Sequence, residues 1–432
     1  MKRIKLIIVV LFIFSLCRLS FASQIIPLKP LDSDDKILIF APHPDDEALS
    51  CAGIIQEALR KKAQVKIVYL TNGDHNQLAF IVYERRLVFR KGEFIHMGEV
   101  RRKEAIAAMA YVGLSSDNLI FLGYPDFGTF AMFTRYWQSP KPYKSLLTRL
   151  NKVPYQENFS YGKSFIPENA ITDLETILES YCPTKIFVSH PADTNGDHRA
   201  LTLFLDIALW DMEGKIPLPK VYHYLIHHVD WPMPRKYHPE LSLAVPDDLL
   251  DIGQWFSFDM KPHMVAKKYN ALRSYRSQTE SSGFYLFSFA KTNELFQRLP
   301  SFTTNGAGPN KADTCAEYQI KDAFLNVIVS HPVENHDISK MTFYVFGWRK
   351  DVPFSAMPKI FLDIHSNTIN VWDGRMRLSN SEGVTVESTG QTITVKISLE
   401  LLHNPDKALI STRIFSKKVP YVKSIWSKFE FK

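Results

Sequence analysis

The amino-acid sequence predicts an α/β domain followed by an all-β domain. From about residue 35 to residue 299, short apolar runs alternate with amphipathic helical stretches. This alternation favours a Rossmann-like, mostly parallel sheet with helices on both faces. After residue 314, short strand-like runs are separated by turn residues, which is typical of a β-sandwich. A chain of 432 residues is also longer than one average domain, so two domains are expected.

The elements of the first domain follow from local patterns. KILIFAP (36–42) and QVKIVYLT (64–71) have the continuous apolar character of buried strands. The segment between them begins with acidic residues and ends with basic ones, as the helix dipole favours. The alternation continues through VRRKEAIAAMAYVG (helix), NLIFLGY (strand), PENAITDLETILESY (helix), KIFVSH (strand), DHRALTLFLDIALWDM (helix) and KVYHYLIH (strand).

Two further segments complete the domain plan. Residues 126–167 form a long insertion that is rich in aromatic residues and lacks clear periodicity. Residues 300–314 are rich in Gly, Asn, Pro and Thr and are predicted to be a linker. Residues 315–432 are then the sandwich-like domain, with strands in YQIKDAFLNVIVSH, KMTFYVFGW, KIFLDIH, GVTVEST, QTITVKISLELL and ALISTRIFS.

The first 22 residues have the pattern of a secretory signal peptide. A basic start precedes an apolar run from Leu6 to Leu16, and Ser20-Phe21-Ala22 forms a small-x-small cleavage site. We therefore expect a signal peptide at residues 1–22. The mature protein should be secreted or periplasmic, without stable membrane insertion. The apolar run is short for a membrane span, and an uncleaved anchor is the alternative.

Charge and cysteine content exclude other classes. Four basic residues of the N-terminal segment account for part of the formal charge, and +7 minus 4 leaves +3. This weak basic excess does not predict nucleic-acid binding. Beyond that segment, Cys51, Cys182 and Cys315 are scattered and indicate neither a disulfide framework nor a CxxC metal site. The sequence leaves the oligomeric state open.

Two predicted strands end in clusters of polar residues. PHPDDE (42–47) follows the first strand, and HPADTNGDH (190–198) follows a later one. Because ligands bind beyond the carboxyl ends of parallel strands, we expect both clusters at one edge of the sheet. Each cluster alone could be structural, as acids at a helix start or as a turn. Two such clusters at one edge favour a functional site.

The residue types in these clusters suit a divalent metal. His43, Asp46 and His198 offer two imidazoles and one carboxylate, which leaves coordination positions open for water. Zinc is the first choice for hydrolytic chemistry, and iron(II) can use the same ligands. Asp45, beside the ligand, can take a proton from water that the metal has activated. Glu47 is interpreted as an acid that favours the helix start.

These motifs resemble those of a known family. APHPDDEAL (41–49) and DTNGDHRAL (193–201) are similar to the motifs of the PIG-L/LmbE-like deacetylases, zinc-dependent enzymes that act on N-acetylglucosamine-type substrates. TNGD (71–74), VRRKEA and LGYPDFG support the resemblance, and KKYNALRSYRSQ and NELFQR resemble the family's closing helices. The resemblance covers about residues 35–299.

The resemblance implies roles for individual residues. His43, Asp46 and His198 would bind Zn²⁺, and Asp45 would act as general base. It further implies that Arg101 and Asp126 contact the sugar and that Asp197 orients the site.

One position departs from the family pattern. Many members have a histidine three residues before the last ligand, where this chain has Asn195. Asn195 can donate a hydrogen bond to an oxyanion but cannot supply a proton. Protonated Asp45 or His190 is then the candidate donor to the leaving amine.

The sequence therefore predicts a secreted, zinc-dependent N-deacetylase of amino sugars or glycans. One alternative is a metalloamidase for another acylated amino sugar or sugar conjugate. Another is a glycan-binding protein with a degenerate catalytic domain. The aromatic insertion could be a lid that stacks on sugars or packing for itself, and the sandwich is a candidate carbohydrate-binding domain. His223 and His227 could form a second metal site, although structural roles are favoured.

Overall fold

The structure is a computed structural model. It describes residues 25–76, 81–83, 85, 91–303, 316–330, 338–365, 368–378, 383–389, 392–416, 422–423 and 425–431. The expected signal peptide lies outside these residues and stays a prediction. Within the described part of the chain, no helix is both long and apolar enough to cross a membrane.

The first part of the chain is an α/β domain. Its strands are β1 (Ile26–Pro27), β2 (Lys36–Ala41), β3 (Gln64–Thr71), β4 (Leu119–Tyr124), β5 (Lys185–Ser189), β6 (Lys220–Tyr224), β7 (Gln254–Asp259) and β8 (Asn293–Arg298). Its helices are α1 (Asp46–Lys61), α2 (Lys91–Val112), α3 (Thr129–Arg135), α4 (Pro167–Tyr181), α5 (Gly196–Asp211), α6 (Pro262–Leu272) and α7 (Arg276–Leu286).

The strands form one mixed sheet in the order β1-β7-β8-β6-β5-β2-β3-β4. The run β6-β5-β2-β3-β4 is parallel throughout, whereas β8 pairs antiparallel with both β6 and β7. Alternate residues of β2 enter two separate apolar cores, with Ile37 and Ile39 in one and Leu38 and Phe40 in the other. Helices cover both faces of the sheet. The predicted α/β class is thus confirmed.

The position of the site follows from the strand order. From β2 the chain proceeds to β3 and β4 on one side, and then crosses to β5 and β6 on the other. Because β2 and β5 are parallel neighbours, with Ile39 beside Phe187, the loops that follow them diverge from one point. Such switch points leave a crevice at the carboxyl ends of the strands.

Two elements differ from the sequence expectation. Helix α2 begins at Lys91, earlier than the predicted VRRKEA start. NELFQR, which resembled a closing helix, is the strand β8, and its residues pair antiparallel with β7. Five of the six residues of β8 are buried, and such a short apolar run does not distinguish a strand from a buried helix.

The second part of the chain consists of two sheets. Its strands are β9 (Phe302–Thr303), β10 (Ala316–Lys321), β11 (Phe324–Ser330), β12 (Ile338–Trp348), β13 (Lys359–His365), β14 (Thr368–Asp373), β15 (Met376–Arg377), β16 (Val384–Thr389), β17 (Thr392–Ser398), β18 (Lys407–Ser416), β19 (Val422–Lys423) and β20 (Ser427–Glu430). The sheets have the orders β10-β11-β17-β16 and β15-β14-β13-β12-β18-β20-β9. Val327 and Val395 of one sheet share a core with Phe343 and Ile410 of the other. The predicted sandwich-like architecture is confirmed.

The predicted linker at 300–314 includes β9, which pairs with β20 through Phe302 and Phe429. The second sheet therefore already begins at residue 302. Residues 304–314 lie outside the described part of the chain, so the domain boundaries stay a prediction.

The aromatic insertion joins the two parts of the chain. Phe133 of α3 is buried, and its ring centroid lies 5.7 Å from that of Phe346 and 6.2 Å from that of Trp426 in the second part. Trp137 packs edge-on against Phe354, with ring centroids 4.8 Å apart. These contacts favour packing over a lid for this half of the insertion. Trp426 is also buried and is therefore a core residue.

Helix α5 makes the polar half of the same interface. Trp348 Nε1 donates to Asp211 Oδ1 at 2.7 Å, and Lys428 Nζ donates to Asp206 Oδ1 at 3.0 Å. Buried polar groups of this kind are costly unless they are paired, so these bonds fix how the sandwich lies on α5.

We expect Phe133→Ala to lower the free energy of unfolding by about 3–5 kcal/mol, because a fully buried ring is lost. Phe159 belongs to the same insertion but is 47% exposed. Phe159→Ala should therefore change the free energy by less than about 0.5 kcal/mol. Urea denaturation followed by fluorescence and far-UV circular dichroism measures both free energies.

Because the apolar interface between the two parts of the chain is continuous, we also expect both parts to unfold in a single transition. Two separate transitions, with Phe133→Ala shifting neither, would contradict this interface.

Candidate active site

The turn after β2 holds His43 and Asp46 together. The backbone N–H of His43 donates to Asp46 Oδ2 at 2.8 Å, and this bond closes the turn between β2 and α1. Asp45 lies within the turn and has a φ of 133°, which is rare for a residue with a side chain. Backbone strain of this kind is commonly stored at functional sites.

The loop after β5 brings His198 to the same edge of the sheet. Asn195 caps α5, since its Oδ1 accepts the backbone N–H of Asp197 at 2.8 Å. His198 follows in the first turn of α5 and is fully buried. The three side chains expected to bind metal therefore come from the turn after β2 and from the first turns of α1 and α5, beside the switch point.

Asp46 Oδ2 is the common neighbour of both imidazoles. It lies 3.2 Å from His43 Nδ1 and 3.3 Å from His198 Nε2. One donor atom from each of the three residues lies within 4.8 Å of the others. Both ring nitrogens of His198 are buried, and among the described residues neither makes a well-aligned hydrogen bond, although each lies close to a carboxylate oxygen. This donor set has the composition and spacing that a divalent metal requires.

Each imidazole has carboxylates on its other nitrogen. His43 Nε2 lies 3.2 Å from Asp126 Oδ1 and 3.3 Å from Asp197 Oδ2, and His198 Nδ1 lies 3.0 Å from Asp193 Oδ2. Metal-binding histidines almost always have such a partner, which fixes the ring and its tautomer. Asp193 was not singled out from the sequence, although it opens the second motif.

The carboxylates make this pocket attractive to positive charge. Burial disfavours the charged form of His198, but Asp193 and Asp46 raise its pKa to about 9. Burial likewise opposes protonation of His43, yet Asp126 and the other carboxylates raise its pKa well above the ordinary value. With no metal present, protons bound to the imidazoles supply the positive charge that the buried carboxylates require.

Asp197 joins the site to the aromatic insertion. Its Oδ2 accepts the backbone N–H of Phe127 at 2.5 Å, and its Oδ1 accepts the N–H of Thr129 at 3.1 Å and the Thr129 hydroxyl. His43, Asp126 and Asp197 also form a second group of potential metal ligands. The hydrogen bonds of Asp197 instead suit a positioning role, as expected from the sequence.

Arg101 lies against Asp45. Its Nη2 donates to Asp45 Oδ2 at 3.2 Å and to the carbonyl of Pro44 at 2.8 Å, and its Nη1 donates to the carbonyl of Gly73 at 3.1 Å. A Cβ at Gly73 would lie 2.1 Å from the guanidinium, so only glycine allows this approach. Burial raises the pKa of Asp45 to about 7, although Arg101 acts in the opposite direction. A carboxylate with this pKa is suited to accept and return a proton.

Glu47 is more than an acid at a helix start. It is fully buried, its Oε2 accepts the backbone N–H of Asp45 at 3.1 Å, and its Oε1 accepts the hydroxyl of Tyr275. Burial raises the pKa of Glu47 to about 8. Glu47 does lie in the first turn of α1, as expected, but the sequence interpretation missed its bond to Tyr275, which directly precedes α7 and is distant in sequence.

A cavity of about 430 Å³ opens over these residues. Its lining includes the residues expected from the sequence to act in the site, among them His43, Asp45, Asp46, Arg101, Asp126 and Asn195. It also includes residues that sequence reasoning did not assign to the site, among them His75, Phe127, His227, Gln278 and Tyr285. Arg101 and Asp126 thus face the cavity, and their contact with substrate stays a prediction.

Three further histidines, His190, His223 and His227, differ in their position relative to the cavity. His190 is fully buried, bonds Gln297 Oε1 at 2.6 Å and is absent from the described lining of the cavity, which disfavours it as proton donor. His223 is buried beside the carbonyl of Gln297. His227 lines the cavity, with its ring centroid 4.8 Å from that of His198. Strand β6 ends at Tyr224, so His223 and His227 do not share a strand face.

Part of the α/β domain matches a known protein family. Residues 38–209 match the family model of PIG-L, GlcNAc-PI de-N-acetylase. Both motif loops, with His43 and His198, lie within that match. This stretch, which is less than half of the chain, is therefore similar to the PIG-L family.

Individual relatives are distant. A glucosamine-6-phosphate deaminase-like protein from Bacteroides thetaiotaomicron is 22% identical over 334 residues, which are 68% of this chain and 43% of that protein. This chain thus spans less than half the length of that relative. The structure of N,N'-diacetylchitobiose deacetylase from Pyrococcus horikoshii is 17% identical, with 62% of this chain and 85% of that chain covered and a TM-score of 0.37. The structure of 4-carboxy-2-hydroxymuconate hydratase from Pseudomonas putida KT2440 is 16% identical, with 63% of this chain and 100% of that chain covered and a TM-score of 0.37.

The environment of Glu47 predicts a pH effect on metal-free protein. Because the folded-state pKa is raised above the ordinary value of 4.5, the folded protein retains a proton that the unfolded chain loses. Glu47 therefore costs stability as the pH rises from about 4.5 to about 8. Glu47→Gln removes this cost and should be more stable than the parent near pH 8, by on the order of 2–4 kcal/mol. Urea unfolding in EDTA at pH 5 and pH 8 measures the difference.

Glu57 on the same helix is a control, because its pKa is shifted in the opposite direction to that of Glu47. Its hydrogen bond with Arg60 lowers the pKa of Glu57, so its contribution is present at neutral pH and lost on acidification. Glu57→Gln should be slightly less stable than the parent at neutral pH. A pH-independent effect of Glu47→Gln would contradict the buried, protonated state of Glu47.

Proposed function

We propose that this protein is a secreted, zinc-dependent hydrolase that removes N-acetyl groups from N-acetylglucosamine-containing sugars or glycans. One observation carries the proposal. In a region that matches the PIG-L family model, His43 and Asp46 line a cavity and lie within ligand distance of the buried His198, beside a carboxylate, Asp45, that is not needed as a ligand. The N-terminal sequence pattern supports secretion.

His43, Asp46 and His198 would hold the zinc ion. When bound, zinc supplies Lewis-acid activation of a water molecule and of the amide carbonyl. The choice of zinc rests on the two imidazoles and one carboxylate, a set typical of catalytic zinc. Asp193, Asp126 and Asp197 keep the two imidazoles oriented through their second nitrogens.

The protein's own groups handle the proton and the developing charge. Asp45 accepts a proton from the attacking water and, once protonated, returns it to the nitrogen of the leaving amine. Arg101 keeps one carboxylate oxygen of Asp45 in place. The amide of Asn195 uses its oxygen to cap α5, so only its NH₂ group remains to stabilise an oxyanion. The products are acetate and the free amino sugar.

The test is acetate release from N-acetylglucosamine and from chitin oligosaccharides by the zinc-loaded protein. Asp45→Asn should lower kcat by about 10²–10⁴-fold with zinc content unchanged, because it removes the base and no ligand. Asp117→Asn, at an exposed position, is the matched control and should behave as the parent.

Metal content separates the roles further. His198→Ala should lose stoichiometric zinc as measured by mass spectrometry, whereas His238→Ala, at a partly exposed site outside the described cavity lining, should retain it. A panel with longer acyl groups tests the metalloamidase alternative. If the parent binds zinc but releases acetate from none of the sugars, the deacetylase assignment is wrong. If Asp45→Asn keeps near-parental turnover, the base assignment is wrong.

A further inference from the structure

Phe127 combines two unfavourable features, an exposed aromatic side chain and a strained backbone. Its side chain is 66% exposed, so the ring gains little from burial. Its φ is +58°, in the left-handed region, which bulky residues seldom adopt. The hydrogen bond from its backbone N–H to Asp197 Oδ2, at 2.5 Å, holds this conformation. Packing does not explain a side chain that is both strained and exposed, and such residues concentrate where ligands bind.

The exposed ring has a defined orientation. It stacks on the imidazole of His75, with ring centroids 5.0 Å apart and an interplanar angle of 24°. The backbone N–H of His75 is in turn held by Asp126 Oδ2 at 2.7 Å. Both rings are thereby tied to carboxylates that also contact His43. The pair lines the same cavity as His43 and Asp46, two of the expected metal ligands.

Polar atoms border this pair of rings. Asp126 lines the cavity next to Phe127, and Gln278 lines it from α7. The Nδ1 atom of His75 is buried and has no hydrogen-bond partner among the described residues. The arrangement is an exposed phenyl ring with an imidazole stacked on one face and polar groups nearby.

We propose that Phe127, with His75 stacked on one of its faces, forms a stacking platform for the pyranose ring of the substrate. A pyranose presents C–H groups on its faces and hydroxyl groups around its edge, which complements an aromatic surface with a polar border. Stacking would position the ring while its acetamido group faces the donor set. The inference rests on the proposed function and adds the feature that would distinguish a cyclic sugar from an acyclic amide.

The platform is tested by substrate preference. For each protein, kcat/KM is measured for methyl N-acetylglucosaminide and for the acyclic N-acetylethanolamine, and their ratio is compared. Phe127→Ala should lower the ratio about tenfold, since loss of the ring removes apolar contact with the pyranose alone. Phe127→Tyr keeps an aromatic face and should restore the ratio to near the parental value. Phe127 is exposed, so both variants should melt near the parental temperature.

Tyr161 provides the matched control, because it is 53% exposed in the same insertion and is not among the described lining residues of the cavity. Tyr161→Ala should leave the ratio unchanged. An unchanged ratio in Phe127→Ala, an equal loss in Phe127→Tyr, or an equal loss in Tyr161→Ala would overturn the platform.

Binding separates this inference from the proposed function. If the parent protein turns over neither substrate, the proposed function fails, and calorimetry with methyl glucosaminide then tests the platform by itself. Affinity about tenfold weaker in Phe127→Ala than in the parent supports the platform. Equal affinity, or no measurable binding to the parent, overturns it.

Discussion

The compensation of buried negative charge at the ends of β2 and β5 is the constraint on which the site depends. Asp46, Asp126, Asp193 and Asp197 are almost completely buried and surround two imidazoles. Carboxylates can remain ionised in such a place only when hydrogen bonds and positive charge offset the loss of water. Backbone N–H groups of the surrounding loops provide part of this compensation.

The remaining compensation has to come from a cation. Without metal, the imidazoles supply it by binding protons, as the raised pKa of His198, about 9, indicates. A divalent ion between the same three donors would replace those protons and give the carboxylates a stronger partner. The residues that orient the imidazoles therefore also set the affinity for metal, because their charge is felt at the same point. The same residues therefore balance the buried negative charge and hold the ligands for a divalent ion.

Much of this arrangement could be predicted from the sequence, since it depends on local patterns. The parallel strands are apolar runs, and the two polar clusters follow them directly, so the meeting of His43, Asp46 and His198 could be inferred from the sheet alone. Glu47 could not be understood in this way, because its partner Tyr275 lies 228 residues further along the chain. His227 was assigned to a strand that in fact ends at Tyr224. The signal that could have found Phe127 is its position directly after Asp126, in a motif loop.

The strand β8 shows a second limit of sequence patterns. A short run of buried residues carries no periodicity that distinguishes strand from helix, and its pairing with β7 decides the outcome. The aromatic insertion shows a third limit. Its residues were equally suited to a lid and to a core, and the presence of Phe346, Phe354 and Trp426 opposite them makes half of the insertion a core.

The packing of α3 and α5 on the sandwich has a consequence for how this chain can change in evolution. On the side of α3 and α5, the α/β domain presents an apolar surface, since Phe133 and Phe204 share one core with Phe346 and Trp426 of the second part. Recombination that exchanged the sandwich for an unrelated module would leave an unsatisfied aromatic face next to the loop that carries Asp126. We therefore expect the two parts to be inherited as one unit, with substitutions on one side of this interface compensated by substitutions on the other.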